Sequence, residues 1–134
     1  MKPRDFIRTL YLGDRACKAI IINGWKSNVR VQVNCISRVR SASGTWDYYV
    51  DEDIAEGFLV FSEVQACELN NGGHLPNDSI NSLEVVEEVD DASTIEMSID
   101  AVDKDGYHHE TYLRVTCKTV YLEDPARQGV KIET

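Results

Sequence analysis

Long apolar runs are missing from this chain: nowhere do roughly 18 apolar residues follow one another, the length a membrane-spanning helix needs. The charged start Met1-Lys2-Pro3-Arg4-Asp5 has no apolar stretch behind it long enough for a secretory leader. Both absences point to a soluble cytoplasmic protein. Paired cysteines are missing too. Cys17, Cys35, Cys67 and Cys117 stand 18, 32 and 50 residues apart, with no CxxC pair and no nearby histidine to suggest a zinc knuckle. Each falls in an apolar or alternating run, as expected of reduced core thiols. No glycine-elbow motif surrounds a serine or cysteine, and no internal repeat or low-complexity stretch interrupts the chain. The expectation is a protein that is not an enzyme, with no catalytic residue, cofactor or metal.

What is present is charge of one sign, unevenly placed. From Glu68 onward the chain carries 15 Asp or Glu against 5 Lys or Arg, whereas Met1 to Cys67 holds 8 against 9. Nearly all of the net charge of -9 therefore sits in one half. A face of that kind repels phosphate and attracts cationic surfaces, and long-range fields speed such encounters. The 134 residues, 43% of them apolar, fit one domain spanning 1–134. A chain of that size buries about two-thirds of its unfolded surface without metal or disulfide staples.

Period-two patterning dominates and predicts strands with one face in a core and one in water. Val29 to Val39 reads as a single long strand, with Val29, Val31, Val33, Cys35, Ser37 and Val39 on one face and Arg30, Gln32, Asn34, Ile36 and Arg38 on the other. Ala19 to Ile22 is its hairpin partner across Asn23-Gly24, with Trp25 packed at the edge. Trp46 to Val50 suits a strand or its margin, and Asp51-Glu52-Asp53 breaks the pattern. Phe58 to Phe61 reads as buried on both faces, and Val64 to Leu69 continues it past an irregular point near Ser62-Glu63. Ile80 to Val89, the alternation through Ile95, Met97, Ile99 and Ala101, and that of Leu113, Val115 and Cys117 give further strands, with Asp103 to Gly106 as a hairpin turn. A slip to Val120 and Leu122 reads as a bulge, and Pro125 ends the last strand before a tail at 125–134. One short helix is expected at about 3–10. The fold class is mainly β: an antiparallel meander forming a sandwich or open barrel.

Several candidate sites dissolve on inspection. Consecutive carboxylates at Asp51, Glu52 and Asp53, with Glu56, diverge on an extended chain and form a solvated loop rather than a cation site. Asp103-Lys104-Asp105-Gly106 has a lysine where a calcium loop needs an oxygen ligand, and no glutamate at the twelfth position. His108 and His109 project to opposite faces of a strand, and His74 stands in a glycine-rich loop. Lys26, Arg30, Arg38 and Arg40 near Trp25, Trp46, Tyr48 and Tyr49 have the composition of a single-strand nucleic-acid platform, which the overall acidity opposes. No nucleic acid and no membrane is expected as partner. The surviving candidate is the acidic set Glu84, Glu87, Glu88, Asp90, Asp91 and Glu96, with Trp46, Tyr48 and Tyr49 as aromatic anchors. A merely solvated hairpin and core aromatics are the plain alternatives.

The strings Tyr11-Leu12-Gly13-Asp14-Arg15-Ala16-Cys17-Lys18, Gly24-Trp25, Ile36-Ser37-Arg38-Val39-Arg40, Pro76-Asn77-Asp78-Ser79-Ile80 and Leu122-Glu123-Asp124-Pro125 resemble a bacterial family of small β-rich proteins with no assigned function. The second half is similar, more loosely, to β-rich immunity proteins of polymorphic or contact-dependent toxin systems. That resemblance implies an antitoxin that binds a basic protein partner, a nuclease-like toxin domain, and blocks its substrate path. The rival class is a small-ligand-binding β-barrel or sandwich, which a large internal cavity distinguishes. Gly13-Asp14 is expected to form a turn fixed locally by Asp14 and Arg15.

Overall fold

The computed structural model describes residues 1–40 and 49–134. A helix, α1 (Pro3–Ile7), precedes β1 (Leu10–Tyr11), β2 (Cys17–Asn23), β3 (Asn28–Val33), β4 (Cys35–Val39) and β5 (Tyr49–Ala55). There follow β6 (Phe58–Ser62), β7 (Ala66–Asn70), β8 (Ile80–Val89), β9 (Ala92–Val102), β10 (His108–Cys117), β11 (Thr119–Glu123) and β12 (Lys131–Ile132). Among the described residues these make three sheets, ordered β7-β10-β9-β8, β12-β11-β6-β3-β2 and β1-β4-β5, with antiparallel pairing throughout. No barrel closes. Among the described residues no helix is long and apolar enough to cross a membrane.

Alternation explains the packing. On β9 and β10 the odd residues Ile95, Met97, Ile99, Leu113, Val115 and Cys117 are buried. In the five-stranded sheet the rows Val29-Phe61-Val120 and Val31-Leu59-Leu122 point inward. Both sets join one apolar cluster, with Phe6 and Ile7 of α1 in it. The two larger sheets are therefore a sandwich sharing a core, and α1 touches both β8 and β11 at its edge. Each inward leucine, isoleucine or phenylalanine adds roughly 1.5–3 kcal/mol through area removed from water.

Two neighbouring strands cross from one sheet to the other together. β6 pairs β11, with Thr119 opposite Ser62, and β7 pairs β10, with Thr116 opposite Ala66. The ribbon bends at Glu63, whose φ is 53°. Backbone bonds hold the corner: Gln65 N donates to Thr116 O (2.8 Å), Lys118 N to Ser62 O (3.3 Å) and Val64 N to Ser27 O (2.9 Å). The irregular point expected near Ser62-Glu63 and the slip before Val120 are thus two halves of one corner. The slip is a change of sheet rather than a bulge within a strand.

The expected strand from Val29 to Val39 is broken at Asn34. There Asn34 N donates to Ala16 O (3.1 Å), its Oδ1 accepts from Ala16 N (3.0 Å), and its carbonyl accepts from Glu56 N (2.9 Å). With its hydrogen bonds taken by Ala16 and the turn at Glu56, Asn34 cannot continue the ladder, and β4 starts afresh in the small sheet. As the central strand there, β4 buries Ile36, Ser37 and Arg38 in succession. Arg38 thus lies inside, not on a polar face. Its Nε and Nη2 donate to Thr9 Oγ1 (3.1 and 2.8 Å), the guanidinium lies 5.2 Å from the Phe6 ring centre, and Glu52 approaches to 3.9 Å. Burial lowers the guanidinium pKa to about 10, with help from the Arg40 charge and against Glu52, so the cation persists at neutral pH.

Other expectations are corrected as well. The helix ends at Ile7, because Thr9 donates both its N–H (3.0 Å) and its hydroxyl (2.7 Å) to Phe6 O and the chain turns into β1. Trp25 is 96% exposed at the tip of the β2–β3 hairpin rather than packed. Residues 51–53 do not interrupt the pattern but run within β5, where Glu52 meets Arg40 (2.8 Å) and Asp53 accepts from Ser37 Oγ (2.6 Å). The tail returns as β12, pairing Ile132 with Leu122. Trp46 lies outside the described residues. Of the cysteines only Cys17 and Cys117 are buried; Cys35 is half-buried and Cys67 exposed, and all four are free.

Phe61→Ala should cost about 3–5 kcal/mol by opening the shared core, and Asn34→Ala about 1 kcal/mol by loosening the sheet crossing. Urea denaturation checks both. Burial pushes the Cys17 thiol up to about 11 and Cys117 to about 12. Burial raises the Cys67 thiol too, but its side chain is exposed, so in native protein at pH 8 it should react with a thiol reagent well before the buried Cys17 and Cys117, as mass spectrometry of the labelled chain would read.

Candidate functional site

Because β9 and β10 give their odd residues to the core, their even residues lie on the outer face, where Thr94 and Ser98 are covered by their neighbours, and the register aligns them across four strands. One row runs Glu68, Arg114, Glu96, Glu84; the next holds Asn70, Tyr112, Ser98 and Ser82. Glu110 sits opposite Asp100, and Glu87 opposite Thr94. The outer face of the four-stranded sheet is consequently a field of carboxylates around Arg114 and Tyr112. Glu68, Asn70, Glu96, Tyr112 and Arg114 line an open cleft of about 440 Å³ at its centre.

Arg114 donates to Glu96 Oε2 through Nη2 (2.7 Å) and Nε (3.2 Å). That hydrogen bond, then the charges of Glu96, Glu68 and Glu87, raise the arginine's pKa. The Tyr112 phenol is held above its ordinary pKa, first by its hydrogen bond to Glu110, then by partial burial and the charges of Glu110 and Glu96. Glu84 directly faces Glu96, a like-charge pair that favours an incoming cation between them.

The sequence-derived acidic set divides between two surfaces, and a bulge is the cause. Val85 pairs Ile95 and Glu87 pairs Thr94, leaving Val86 as the extra residue. Beyond it the phase is reset: Glu84, Glu87 and Glu96 share the outer face, while Glu88 pairs the buried Ser93 on the opposite one. Glu88 there meets Arg4, and Asp91 meets Lys118 at 3.3 Å. Asp90 occupies the tight β8–β9 turn with a φ of 56°. Tyr49 opens β5, paired with Val39 in the small sheet, and Tyr48 lies outside the described residues. Glu68, Glu110, Tyr112 and Arg114 were missed as site residues; the alternation around Leu113 and Val115 already put Tyr112 and Arg114 on the wet side, but nothing in the sequence reveals which strand lies beside which.

Comparison with known protein families gives a match over the whole chain. The family of unknown function DUF6258 covers residues 1–134. The chain belongs to that family. No curated protein and no solved structure matches it significantly. In this DUF6258 member the segments around Arg15 and Asp78 meet. Cys17 N donates to Asp78 O (2.9 Å) and Ile80 N to Arg15 O (3.0 Å). Gly13-Asp14 forms a turn, Asp14 having a φ of 57°, and a Cβ at Gly13 would stand 2.7 Å from the Tyr11 hydroxyl. Arg15 Nη2 donates to Ser37 Oγ (2.9 Å), whose hydroxyl donates to Asp53, so a polar chain ties the turn to β4 and β5.

At one end of the sheet His109 Nε2 lies 2.8 Å from Asp103 Oδ2, with its ring stacked on His74 at 3.6 Å. The His109 hydrogen bond, followed by the backbone N–H of Tyr107, holds the Asp103 carboxyl below its ordinary pKa. A carboxyl with a depressed folded-state pKa stabilises the fold above its unfolded value, about 3.9, and that contribution is lost as pH falls through the folded value. Asp103→Asn, which keeps the turn's acceptor oxygen, should lower the melting temperature at pH 7. The gap to wild type should close as the pH is taken below about 3.9.

Proposed function

We propose that this protein is an acidic protein-binding module whose partner carries a basic surface and docks on the outer face of the four-stranded sheet. The observation that carries the reading is the alignment of Glu68, Glu84, Glu87, Glu96, Asp100 and Glu110 on one wet face. Carboxylates so arrayed accept hydrogen bonds from arginine and lysine, and their summed field steers encounter more than it adds raw affinity. The clefts on this side are open and lined by charged side chains, which suits a macromolecular surface better than an apolar ligand.

The partner's class follows from the resemblance of the second half to immunity proteins: a toxin domain with a cationic substrate surface, a nuclease above all. On this reading the carboxylate rows stand in for a phosphate backbone. They cover the toxin's substrate path, and the protein acts as a cytoplasmic antitoxin without catalysis of its own. Tyr112, amphipathic and central in the cleft, is the anchor around which the charged rim closes.

The test is co-purification from native cells followed by kinetic titration of the stoichiometric partner. Glu84→Lys with Glu87→Lys should slow association by about 10-fold or more at low salt. The effect should fade as the screening length shrinks from about 10 Å at 0.1 M salt to about 3 Å at 1 M. Glu88→Gln with Asp91→Asn, on the other surface, should leave the rate nearly unchanged, and the wild-type complex should silence the toxin. A partner whose association ignores both salt and the outer pair, or binds through the exposed Ile21, Ile22 and Trp25 of the β2–β3 hairpin, overturns the reading.

A further inference from the structure

All three histidines of the chain, His74, His108 and His109, come together near the β9–β10 turn, but they are not equivalent. His109 is engaged by Asp103 and stacked flat on His74. His108, on the outer face, instead shares a space with two aspartates: one ligand atom each from Asp78, Asp100 and His108 lies within 4.8 Å of the others. The separation of His108 Nδ1 from Asp100 Oδ2 is 3.5 Å. That is long for a charge-assisted hydrogen bond of about 2.7–2.9 Å. It is near the roughly 3.3 Å between two ligands that each stand about 2.0–2.1 Å from one tetrahedral ion.

The three groups come from separate segments that the backbone holds rigidly. Asn77 N and Asp78 N both donate to Asp100 O (3.1 and 3.0 Å), and Asp100 N donates to Ser79 O (2.9 Å). Asn77 also completes the edge of β9 with its side chain, accepting from Val102 N (2.8 Å) and donating to Val102 O (3.1 Å). Asn81 Nδ2 donates to Asp100 Oδ1 (2.8 Å), which orients that carboxylate with Oδ2 toward His108, as outer-shell partners of metal ligands do. Two carboxylates facing one imidazole repel each other until a cation lies between them.

We propose that Asp78, Asp100 and His108 bind one divalent first-row transition-metal ion of the Zn²⁺ class, with a further coordination position open to water. A nitrogen donor beside two carboxylate oxygens suits Zn²⁺ and its neighbours; Mg²⁺ prefers an all-oxygen octahedron and is selected against. The site shares Asp100 with the docking face but needs neither a basic partner nor the rows around Arg114.

Calorimetric titration of the full-length, chelator-treated protein with Zn²⁺ tests it, with circular dichroism to show that each variant is folded. Wild type should bind one ion, with Mg²⁺ giving no comparable heat. His108→Ala and Asp100→Asn should each weaken binding at least 10-fold, and Asn81→Ala by about 10–100-fold through loss of the orienting bond. His74→Ala with His109→Ala should leave the affinity unchanged. No saturable binding at one equivalent, or binding that survives His108→Ala and disappears with the His74 and His109 pair, overturns the proposal.

Discussion

Burial of one face of β9 and β10 is the constraint on which the surface chemistry depends. Ile95, Met97, Ile99, Leu113 and Val115 are each at most 1% exposed against the facing sheet. A strand's period of two then sends the residues between them to the opposite, outer face of the sheet. A slip of one residue would bring Glu96 and Arg114 into the core and set Met97 and Leu113 outside, at a cost of roughly 1.5–3 kcal/mol for each apolar side chain and more for each buried charge. The carboxylate rows are therefore held in place by apolar packing behind them rather than by attraction among themselves. Their mutual repulsion is tolerated because the core fixes the register.

Much of this frame was legible in the chain. The alternation through Ile95 to Ala101 and through Leu113 to Cys117 marks two strands with one wet face, and Asp103 to Gly106 marks their turn. What was not legible is where strands leave one sheet for another. The pattern from Val29 to Val39 runs through Asn34 without a break, because the interruption comes from distant partners, Ala16 and Glu56, that compete for its backbone. Arg38 reads as a surface residue for the same reason: Thr9, Phe6 and Glu52, which make its burial tolerable, come from other segments.

The candidate site shows the same limit on a finer scale. The acidic run from Glu84 to Asp91 looks like one patch in the sequence, yet the single extra residue Val86 turns Glu88 away from Glu84 and Glu87. Glu68 and Glu110 join them from strands distant in sequence through register alone. The Asp78, Asp100 and His108 cluster was hidden likewise, since the three positions lie 22 and 8 residues apart and meet only when the Asn77–Ile80 segment docks along β9. Membership in DUF6258 names the family without naming a role.

Amide chemical-shift mapping of the isotope-labelled protein against its purified basic partner tests the central claim most directly. The account predicts perturbations concentrated on Glu68, Glu84, Glu96, Tyr112 and Arg114, with the β2–β3 hairpin and the buried β4 left unmoved. Perturbations confined to Ile21, Ile22 and Trp25, with the outer face of β7, β10, β9 and β8 silent, would contradict it.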